Sequence, residues 1–574
     1  MRGFVAAALV LALAALDRFE VVRIAAFQLA RNDTQRPVLN ACLYAATYLA
    51  GAVGIAVLLC HRPPVRAVTA ALVLALACVQ VGFAAVNDTG FTHHEAALLF
   101  TDARFFLSDA LKFFAGRFVL PVLAAVAIGG AAVGLAARRG PRLRSWLWLA
   151  VPIAALVASY GLIERTFGKV YQFPVPVRVP LLVAWAYEHR LPHYAEREPV
   201  YFAPTQSALT DHIVLVVDES VSGHSLGING GPADTTPWLS SRPEGVYNYG
   251  IAAAISNLSS SSNLLLQAGL PISAFPDRDL RALRVPNVFS YLAAAGFRTA
   301  FIDSQSYSDQ PPNLMTGFDL ARIDVKLKLR EKHRGAPEHE LDFLALPDVR
   351  ALVESNAHSF TYLLKTGAHL PYADKSPRDQ RPFQPVLDTW VMGSGDPART
   401  RNSYWNALRW TVDEFLRELS SQLSATGREV LVIYTSDHGQ WLPGDPDGGR
   451  KLTPHATPID PPPQQGSVPL VLLGFGPRTR AALAERFDPR LRDHASDFAI
   501  FPTVLQAAGY AASDTAHYYA ASLFEREAAR PPSAFLSGNI FARDGEFYVL
   551  NPDLGSACFV NPFSTDSLGL PSTR

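Results

Sequence analysis

Apolar residues are distributed unevenly along this chain, and this unevenness limits its possible folds more than any other feature. Ala, Leu and Val dominate the first 165 residues, whereas Asp, Glu, Pro, His and Ser are concentrated after Pro204. A chain of 574 residues is also too long for one ordinary domain. The expected organisation is an apolar helical part, a linker or interfacial segment, a globular domain and a C-terminal tail, over residues 1–165, 166–210, 211–535 and 536–574.

Five apolar stretches in the first part reach or approach the length of a bilayer-spanning helix. Such a helix needs about 20 largely apolar residues. The shortest, Phe4 to Leu16, is either a short span or the apolar core of a signal peptide behind Arg2. Both alternatives leave the topology after residue 20 unchanged. The other four stretches are Ala41 to Cys60, Val68 to Val86, Phe118 to Ala137 and Trp146 to Leu162.

Basic residues in two short loops predict the orientation of these helices. Loops rich in Lys and Arg stay on the cytoplasmic side of a membrane. Both loops then lie in the cytoplasm, and everything after Ile163 lies outside it, as in a multi-pass protein of a bacterial inner membrane with a periplasmic domain. The loop residues are His61, Arg62 and Arg66 in one, and Arg138, Arg139, Arg142 and Arg144 in the other.

After His212 the pattern changes to alternating strands and helices, which predicts a doubly wound α/β sheet. Two continuous apolar runs, Ile213–Val217 and Val430–Tyr434, have the length and composition of strands buried on both faces. Ligand sites in such sheets form beyond the carboxyl ends of the strands. Further predicted strands are Thr299 to Ile302, Ser359 to Leu364 and Val468 to Leu473, and predicted helices are Tyr404 to Leu423 and Phe498 to Ala508.

Acidic and histidine residues follow both of the strongest predicted strands. Glu219 comes after the first, and Asp437 and His438 come after the second. Two carboxylates and an imidazole at one edge of a sheet suit a divalent cation, with zinc as the first choice and manganese as the second. An Asp-His pair alone is more often a surface turn, but two such strand ends in one domain favour a metal site. The formal net charge of zero gives no reason to expect a nucleic-acid partner.

A run of four serines, Ser259–Ser262, precedes a short helical pattern. A serine at a helix N-terminus is by default a cap. The same position offers free backbone N–H groups to a phosphate, and a metal bound to the hydroxyl makes it a nucleophile. Composition alone leaves capping as the favoured explanation.

Four segments, taken in order, resemble motifs of one enzyme family. The resemblance is to the sulfatase-fold branch of the alkaline phosphatase superfamily, in particular its membrane phosphoethanolamine and phosphoglycerol transferases. It covers about residues 211–510 and implies an extracytoplasmic α/β/α domain behind a helical membrane bundle. The segments are Val216–Ser220 with Asn229–Gly230 and Thr236–Pro237 downstream, Gly367–Pro371, Ser436–Gly439 and Asp497–Gly509.

The resemblance implies a role for each candidate residue. Glu219, Asp437 and His438 take the positions of family metal ligands. Ser259 takes the place of the threonine nucleophile, which also binds the metal, and Ser261 is the second choice within the run.

Two further histidines resemble family residues on the substrate side of the site. His369 lies in the Gly-x-His motif, and His455 lies in the loop after Ser-Asp-His-Gly. Each is expected to contact the phosphate or to act as acid or base. His224 has no family counterpart, and we expect it to be structural or to lie at the rim of the site.

The implied activity is transfer of a phospholipid head group, phosphoethanolamine first and phosphoglycerol second, to an envelope glycan or lipid. Three departures weaken the case for lipid A as the acceptor: Asp218-Glu219-Ser220 replaces Gly-Glu-Thr, Ser467 replaces a histidine, and Cys558 is the only cysteine after residue 210. The alternatives are a membrane-tethered hydrolase of phosphodiesters or sulfate esters, and a non-catalytic envelope protein that retains the fold.

Overall fold

The computed structural model describes most of the chain, in two compact units that divide between residues 192 and 193. Each unit is described by itself. The described residues are 37–87, 119–131, 133–134, 145–162, 173–188, 196–275, 277, 279–306, 311–387, 396–445, 455–457, 461–526, 528, 530, 533–537, 540, 546–551 and 559–563.

The described part of the N-terminal unit is helical, with apolar residues on its outer surface. A break of three residues separates α1 from α2, and Ala52, Ala56 and Ala70 lie in the buried cluster shared by these two helices. Small residues let helix backbones approach closely inside a membrane. Leu49 and Leu72 are more than half exposed on the outer surface, as suits contact with lipid. The helices are α1 (Pro37–Leu59), α2 (Pro63–Asn87), α3 (Val119–Ala131), α4 (Ala150–Leu162) and α5 (Val175–Glu188).

Two of these helices, over Ala41–Leu59 and Pro63–Phe83, are long and apolar enough to cross a membrane. The helices over Val119–Ala131, Trp146–Ala158 and Val175–Ala184 are apolar but shorter. The predicted stretch at residues 4–16 and the basic loop at 138–144 lie outside the described residues. The count of five spans therefore stays a prediction. The segment 166–210, expected to be only a linker or interfacial segment, contains the apolar helix α5.

A seven-stranded sheet forms the centre of the second unit, in the order β2-β7-β6-β1-β5-β3-β4. Every residue of β1, β5, β6 and β7 is buried. The strands are β1 (His212–Asp218), β2 (Val246–Ala253), β3 (Arg298–Asp303), β4 (Val325–Lys328), β5 (Ser359–Leu364), β6 (Val430–Ser436) and β7 (Ser467–Phe475).

The sheet is mixed, a detail that the predicted doubly wound α/β pattern left open. β1 runs parallel to both β5 and β6, but β7 is antiparallel to both β6 and β2. Strand β6 ends and β7 begins at the same end of the sheet, so the two strands run in opposite directions. A continuous apolar run indicates burial on both faces and contains no information about strand direction. Strands β2 and β4 were not predicted.

Helices pack against the sheet and against one another. Phe289 on α8 contacts the rings of Phe360 and Tyr362, which are two residues apart on β5 and so share one face. The π-helical segment Arg409–Glu414 joins α12 and α13 into one long element. The helices are α6 (Pro237–Ser240), α7 (Ser259–Ala268), α8 (Val288–Ala294), α9 (Gly317–Ala321), α10 (Leu329–Lys332), α11 (Leu346–Ser355), α12 (Pro397–Leu408), α13 (Phe415–Ala425), α14 (Pro477–Arg486), α15 (Ile500–Ala507) and α16 (Ala512–Tyr518).

The C-terminal region forms a second sheet of three antiparallel strands. They are β8 (Ala534–Ser537), β9 (Glu546–Asn551) and β10 (Phe559–Phe563), in the order β10-β9-β8. The segment Phe547–Leu550 belongs to the central strand of this sheet, because β8 and β10 pair with it on either side. The predicted domain limit at residue 535 falls within β8.

A buried ion pair holds the ends of β1 and β5 together. The Lys365 ammonium donates to Asp218 Oδ2 at 2.6 Å, and both side chains are 0% exposed. The ammonium also donates to the carbonyl of Thr411 in the π-helical segment. The Tyr434 hydroxyl donates to the same Asp218 oxygen at 2.9 Å. The Lys365 ammonium and the Tyr434 hydroxyl thus compensate the charge of Asp218 at the end of β1.

Lys365→Met should destabilise the domain strongly, because removing one partner of a buried pair leaves the other charge uncompensated, at a cost of about 3–5 kcal/mol. Thermal unfolding of the full-length protein with a chelator present measures this. The matched control is Lys332→Met, which breaks the partly exposed pair with Asp348 and should cost at most about 1 kcal/mol. Equal shifts in the two melting temperatures would contradict the assignment.

Candidate metal centre and nucleophile

Strand register brings the three predicted metal ligands together. Asp218 at the end of β1 pairs with Ser436 at the end of β6, so the residues that follow each strand, Glu219 and Asp437, lie side by side. One ligand atom each from Glu219, Asp437 and His438 lie within 4.8 Å of one another, and all three residues are buried. Within the described residues no other group of three such side chains meets this distance.

Each carboxylate uses one oxygen for orientation and turns the other toward the centre. Asp437 Oδ1 accepts from the backbone N–H groups of Ser220 at 3.2 Å and His438 at 2.7 Å. Glu219 Oε2 accepts from the Gln305 amide at 3.1 Å, and its Oε1 lies 3.2 Å from His438 Nε2. The Ser220 hydroxyl also donates to Oε1, at 2.8 Å.

The hydrogen bond at Nδ1 of His438 determines which nitrogen faces the centre. Nδ1 lies 2.9 Å from the carbonyl oxygen of Gly439, which can only accept, so Nδ1 carries a proton. Nε2 is then the nitrogen that faces the two carboxylates, and in the neutral ring its lone pair is available to a cation bound between them. This is the tautomer and the outer partner that a metal-binding histidine typically has.

The three groups shift one another's protonation strongly. Burial alone would lower the pKa of His438, but the carboxylates of Asp437 and Glu219 outweigh it and raise that pKa to about 9. Burial would raise the pKa of Glu219, yet the hydrogen bond and charge of His438 hold it well below its usual range. Burial, together with the charge of Glu219, raises the pKa of Asp437 well above its usual range. Two protons thus occupy positions that a cation can take.

These residues fit a divalent cation. Asp437 Oδ2 is a buried carboxylate oxygen without a hydrogen-bond partner in the described part of the chain, and it lies 3.9 Å from His438 Nε2. A buried acceptor in that position is costly unless a proton or a cation satisfies it. Two carboxylates and one imidazole form a donor set that zinc and manganese both accept.

Ser259 is the serine of the run that faces this group. It is the first residue of α7, partly buried, and its hydroxyl oxygen lies 3.1 Å from His438 Nε2. The first backbone N–H groups of the helix lie in the same turn, where they have no partner within the helix. The Asn263 amide donates to the Ser259 carbonyl at 3.0 Å and so anchors that turn.

The later serines of the run have other surroundings. Ser262 is buried, and its hydroxyl donates to the Ser256 carbonyl and accepts from the Ser256 N–H, both at 3.0 Å. Ser261 is buried as well. The Ser259 hydroxyl is therefore the hydroxyl of the run that lies within hydrogen-bonding distance of His438.

His369 and His455 lie on the same side of the site as His438. The ring of His455 stacks on that of His438 with centroids 4.4 Å apart, and the His369 ring lies 5.9 Å from the His455 ring. Gly367 makes the approach of the His369 segment possible. A Cβ there would lie 2.1 Å from Asp218 Oδ1 and 2.6 Å from the backbone of Glu219, and its φ of 49° is left-handed.

Two residues that support the site, Gln305 and Asp497, were given no individual role from the sequence, although Asp497 begins the fourth family segment. Gln305 follows β3 and joins Glu219 Oε2 to the Lys365 carbonyl, which accepts from the same amide at 2.8 Å. Asp497 accepts from the Thr435 hydroxyl at 2.9 and 3.0 Å, next to the end of β6. The position of Gln305 just after a predicted strand indicates that it lies at the site end of the sheet. A glutamine is also common in surface loops, so the residue type alone does not predict this role.

His224 lies apart from the three candidate ligands in its contacts. Its Nε2 is 3.2 Å from the hydroxyl of Ser467, and burial lowers its pKa to about 4. It is therefore neutral at physiological pH, as expected for a structural histidine.

A buried carboxylate–imidazole group beside a helix N-terminal hydroxyl, at the carboxyl ends of sheet strands, is an arrangement that suits metal-dependent phosphoryl or sulfuryl transfer. The family model described as Sulfatase matches residues 211–510, more than half of the 574 residues. The chain belongs to the sulfatase family, and the family predicted from the four motifs is confirmed.

Similar proteins extend this result. The chain is 26% identical over 251 residues to "Phosphoethanolamine transferase EptA" of Helicobacter pylori, and the match covers 42% of this chain and 46% of that relative. The chain thus spans less than half of the length of this curated relative. The lipooligosaccharide phosphoethanolamine transferase A of Neisseria meningitidis, an integral membrane protein, has the same fold, with a TM-score of 0.67 at 16% identity over 89% of this chain and 97% of that one.

A second solved structure is the C-terminal periplasmic domain of EcEptC from Escherichia coli in complex with Zn. It has a TM-score of 0.51 at 18% identity and covers 63% of this chain and 97% of that one. These likenesses show that the α/β domain has the sulfatase-like fold, and the Neisseria match extends the shared fold to the N-terminal helices.

Metal affinity should rise with pH. Below about 9 the site without metal holds a proton on His438, and Asp437 also binds its proton tightly, so a cation must displace both. The dissociation constant for Zn²⁺ should therefore increase as pH falls from 9 to 6, up to about tenfold per pH unit for each displaced proton. Competition with a zinc indicator measures it. His224→Asn should keep the same slope, since His224 does not titrate in this range, and a flat profile would refute the assignment.

Gln305→Ala should weaken metal binding by about 10–100-fold, because Glu219 loses the donor that orients its carboxylate. The matched control is Gln422→Ala, which removes an amide bonded to Glu418 at 3.1 Å on α13. Its affinity should equal that of the wild type. Equal affinities in the two variants would show that Gln305 does not orient Glu219.

Proposed function

We propose that the protein transfers a phospholipid head group, phosphoethanolamine first, to a glycan or lipid acceptor in the cell envelope through a covalent phospho-Ser259 intermediate. The observation that supports this most directly is the position of the Ser259 hydroxyl, 3.1 Å from His438 Nε2 and at the N-terminus of α7. The named relatives are phosphoethanolamine transferases, which favours that head group over phosphoglycerol.

Glu219, Asp437 and His438 would hold a divalent cation, zinc before manganese, beside Ser259. When bound, such a cation lowers the pKa of a serine hydroxyl and neutralises charge on a phosphate. The carboxylate oxygens and Nε2 are already turned toward one another, so little rearrangement of these side chains is required.

Ser259 Oγ attacks the phosphorus of the donor phosphodiester. The bond from phosphorus to the diacylglycerol oxygen breaks, and that oxygen leaves with a proton as diacylglycerol. The helix N-terminus of α7 faces the phosphate and favours its negative charge. An acceptor hydroxyl or phosphate oxygen then attacks the same phosphorus, and Ser259 leaves as the free hydroxyl.

His369 and His455 are proposed to contact the phosphate or to move protons in these two steps. The His455 ring lies 4.4 Å from that of His438 and 5.9 Å from that of His369, centroid to centroid. Imidazoles exchange protons near neutral pH, as both the leaving diacylglycerol and the attacking acceptor require.

The lipid donor explains the apolar helices. We propose a multi-pass protein of the inner membrane with about five spans and a periplasmic catalytic domain, as the basic loops predict. The two described helices long enough to cross a membrane support the membrane location.

Incubation of the full-length protein with fluorescent phosphatidylethanolamine should produce an adduct of phosphoethanolamine on Ser259, together with released diacylglycerol. Ser259→Ala should abolish both, because no other hydroxyl of the run contacts His438. Intact-mass and peptide analysis locates the adduct, and thin-layer chromatography measures the lipid.

Ser261→Ala is the matched control and should keep the adduct. An adduct on Ser261 would move the nucleophile within the run. Free phosphoethanolamine without an acceptor would favour the hydrolase, and metal-loaded protein without turnover on phosphatidylethanolamine or phosphatidylglycerol would favour a non-catalytic role.

A further inference from the structure

The C-terminal sheet contacts the segment that leads into α7. Leu536 on β8 forms a bridge with Ser256, through backbone hydrogen bonds from Asn257 N–H to the Leu536 carbonyl at 3.1 Å and from Leu536 N–H to the Ile255 carbonyl at 2.9 Å. Phe535 packs on Gly466, where a Cβ would lie 2.0 Å from the ring. Strand β8 is therefore part of the packed domain and contacts the segment directly before the proposed nucleophile.

Asn257 connects three chain segments at this point. Its side-chain amide nitrogen donates to the Thr457 backbone carbonyl at 2.9 Å and to Gln465 Oε1 at 3.2 Å. The backbone carbonyl of Asn257 accepts from the Ala456 N–H at 3.1 Å. The side chain is completely buried. One residue thus joins the start of α7, the His455 segment and the segment before β7.

Further hydrogen bonds reinforce the same point. The Ser537 hydroxyl on β8 donates to the Thr457 carbonyl at 2.8 Å. Gln465 accepts from the Thr457 N–H at 3.1 Å and donates to its hydroxyl at 2.9 Å. Ser256, Asn257, Thr457, Gln465, Leu536 and Ser537 together are called the Asn257 junction below.

The junction lies between two groups that face His438. Ser259, two residues after Asn257, has its hydroxyl 3.1 Å from Nε2. His455, two residues before Thr457, stacks on the same imidazole at 4.4 Å. The Asn257 side-chain amide donates to Thr457 and Gln465, neither of which is a candidate metal ligand. The backbone carbonyl of Gln465 accepts from the N–H of Gly439, the residue after His438, at 2.9 Å. Loss of the Asn257 amide therefore acts first on the segments of Ser259 and His455, and it leaves the Gln465–Gly439 bond beside His438 in place.

We propose that Asn257 is a positioning residue that, with strand β8, sets the distance of Ser259 and His455 from the metal centre. Its effect on turnover rests on the proposed function of Ser259, whereas its effect on the two segments does not. Strand β8, which lies at the predicted boundary between domain and tail, is by this proposal part of the catalytic unit.

The test uses the full-length protein with Asn257→Ala and Asn257→Asp, which both remove the two side-chain donations. Ser537→Ala removes only the second donor to Thr457 and is the milder variant. The matched control is Asn356→Ala, which removes an amide that donates to the Leu352 carbonyl at 2.8 Å. Asn356 precedes β5 and lies near the amino-terminal end of that strand, opposite to the end at which the site forms.

Hydrogen–deuterium exchange tests the junction without reference to activity. Peptides covering 256–262 and 455–467 should exchange faster in both Asn257 variants, while those covering 212–219 and 430–438 stay unchanged. Zinc stoichiometry should equal that of the wild type. The turnover number for diacylglycerol release should fall by about 10²-fold with little change in KM, since displacement by about 1 Å has such an effect.

Unchanged exchange at 455–467 in both Asn257 variants would overturn the proposal, as would loss of zinc, which would show a general structural role. Faster exchange in Asn356→Ala at the same peptides would overturn it too. Faster local exchange in the Asn257 variants, with a wild type that turns over no phospholipid, would support the junction and refute the proposed function.

Discussion

Two carboxyl groups, Glu219 and Asp437, are buried side by side. The groups around them offset the cost of burying two like charges close together. Their proximity follows from the level, parallel register of β1 and β6. Desolvation and like charge both act against such a pair. His438 compensates with a proton on a ring whose pKa is raised to about 9, and a bound cation would compensate more completely.

Hydrogen bonds in this region orient one oxygen of each carboxylate. Backbone N–H groups hold Asp437 Oδ1, and the Gln305 amide holds Glu219 Oε2. The second oxygens then point toward His438 Nε2. Behind them, the pair of Lys365 and Asp218 fixes the base of the same strand ends. Such preorganisation means that binding a cation or a phosphate requires little movement of the protein.

The centre is assembled from segments that are distant in the chain, and close backbone approach makes this possible. At Gly367 a Cβ would collide with Asp218 and Glu219, and at Gly439 it would lie 2.0 Å from the Gln464 carbonyl. Both glycines belong to the motifs that revealed the family, so part of each motif serves packing and not chemistry. The contact of β8 with the Ser256–Asn257 segment extends the domain beyond its predicted limit at residue 535.

The sequence alone determined the family, the central strands, the three candidate ligands and the serine run, because these depend on local patterns: continuous apolar runs, the residues that follow them, and motifs in a recognisable order. Only the tertiary structure decided that β7 is antiparallel, that Ser259 is the serine facing His438, and that Gln305, Asn257 and β8 support the site. Strand direction, the choice among four identical side chains and the partner of an amide all depend on contacts between residues far apart in the chain, and a local pattern contains no information about them.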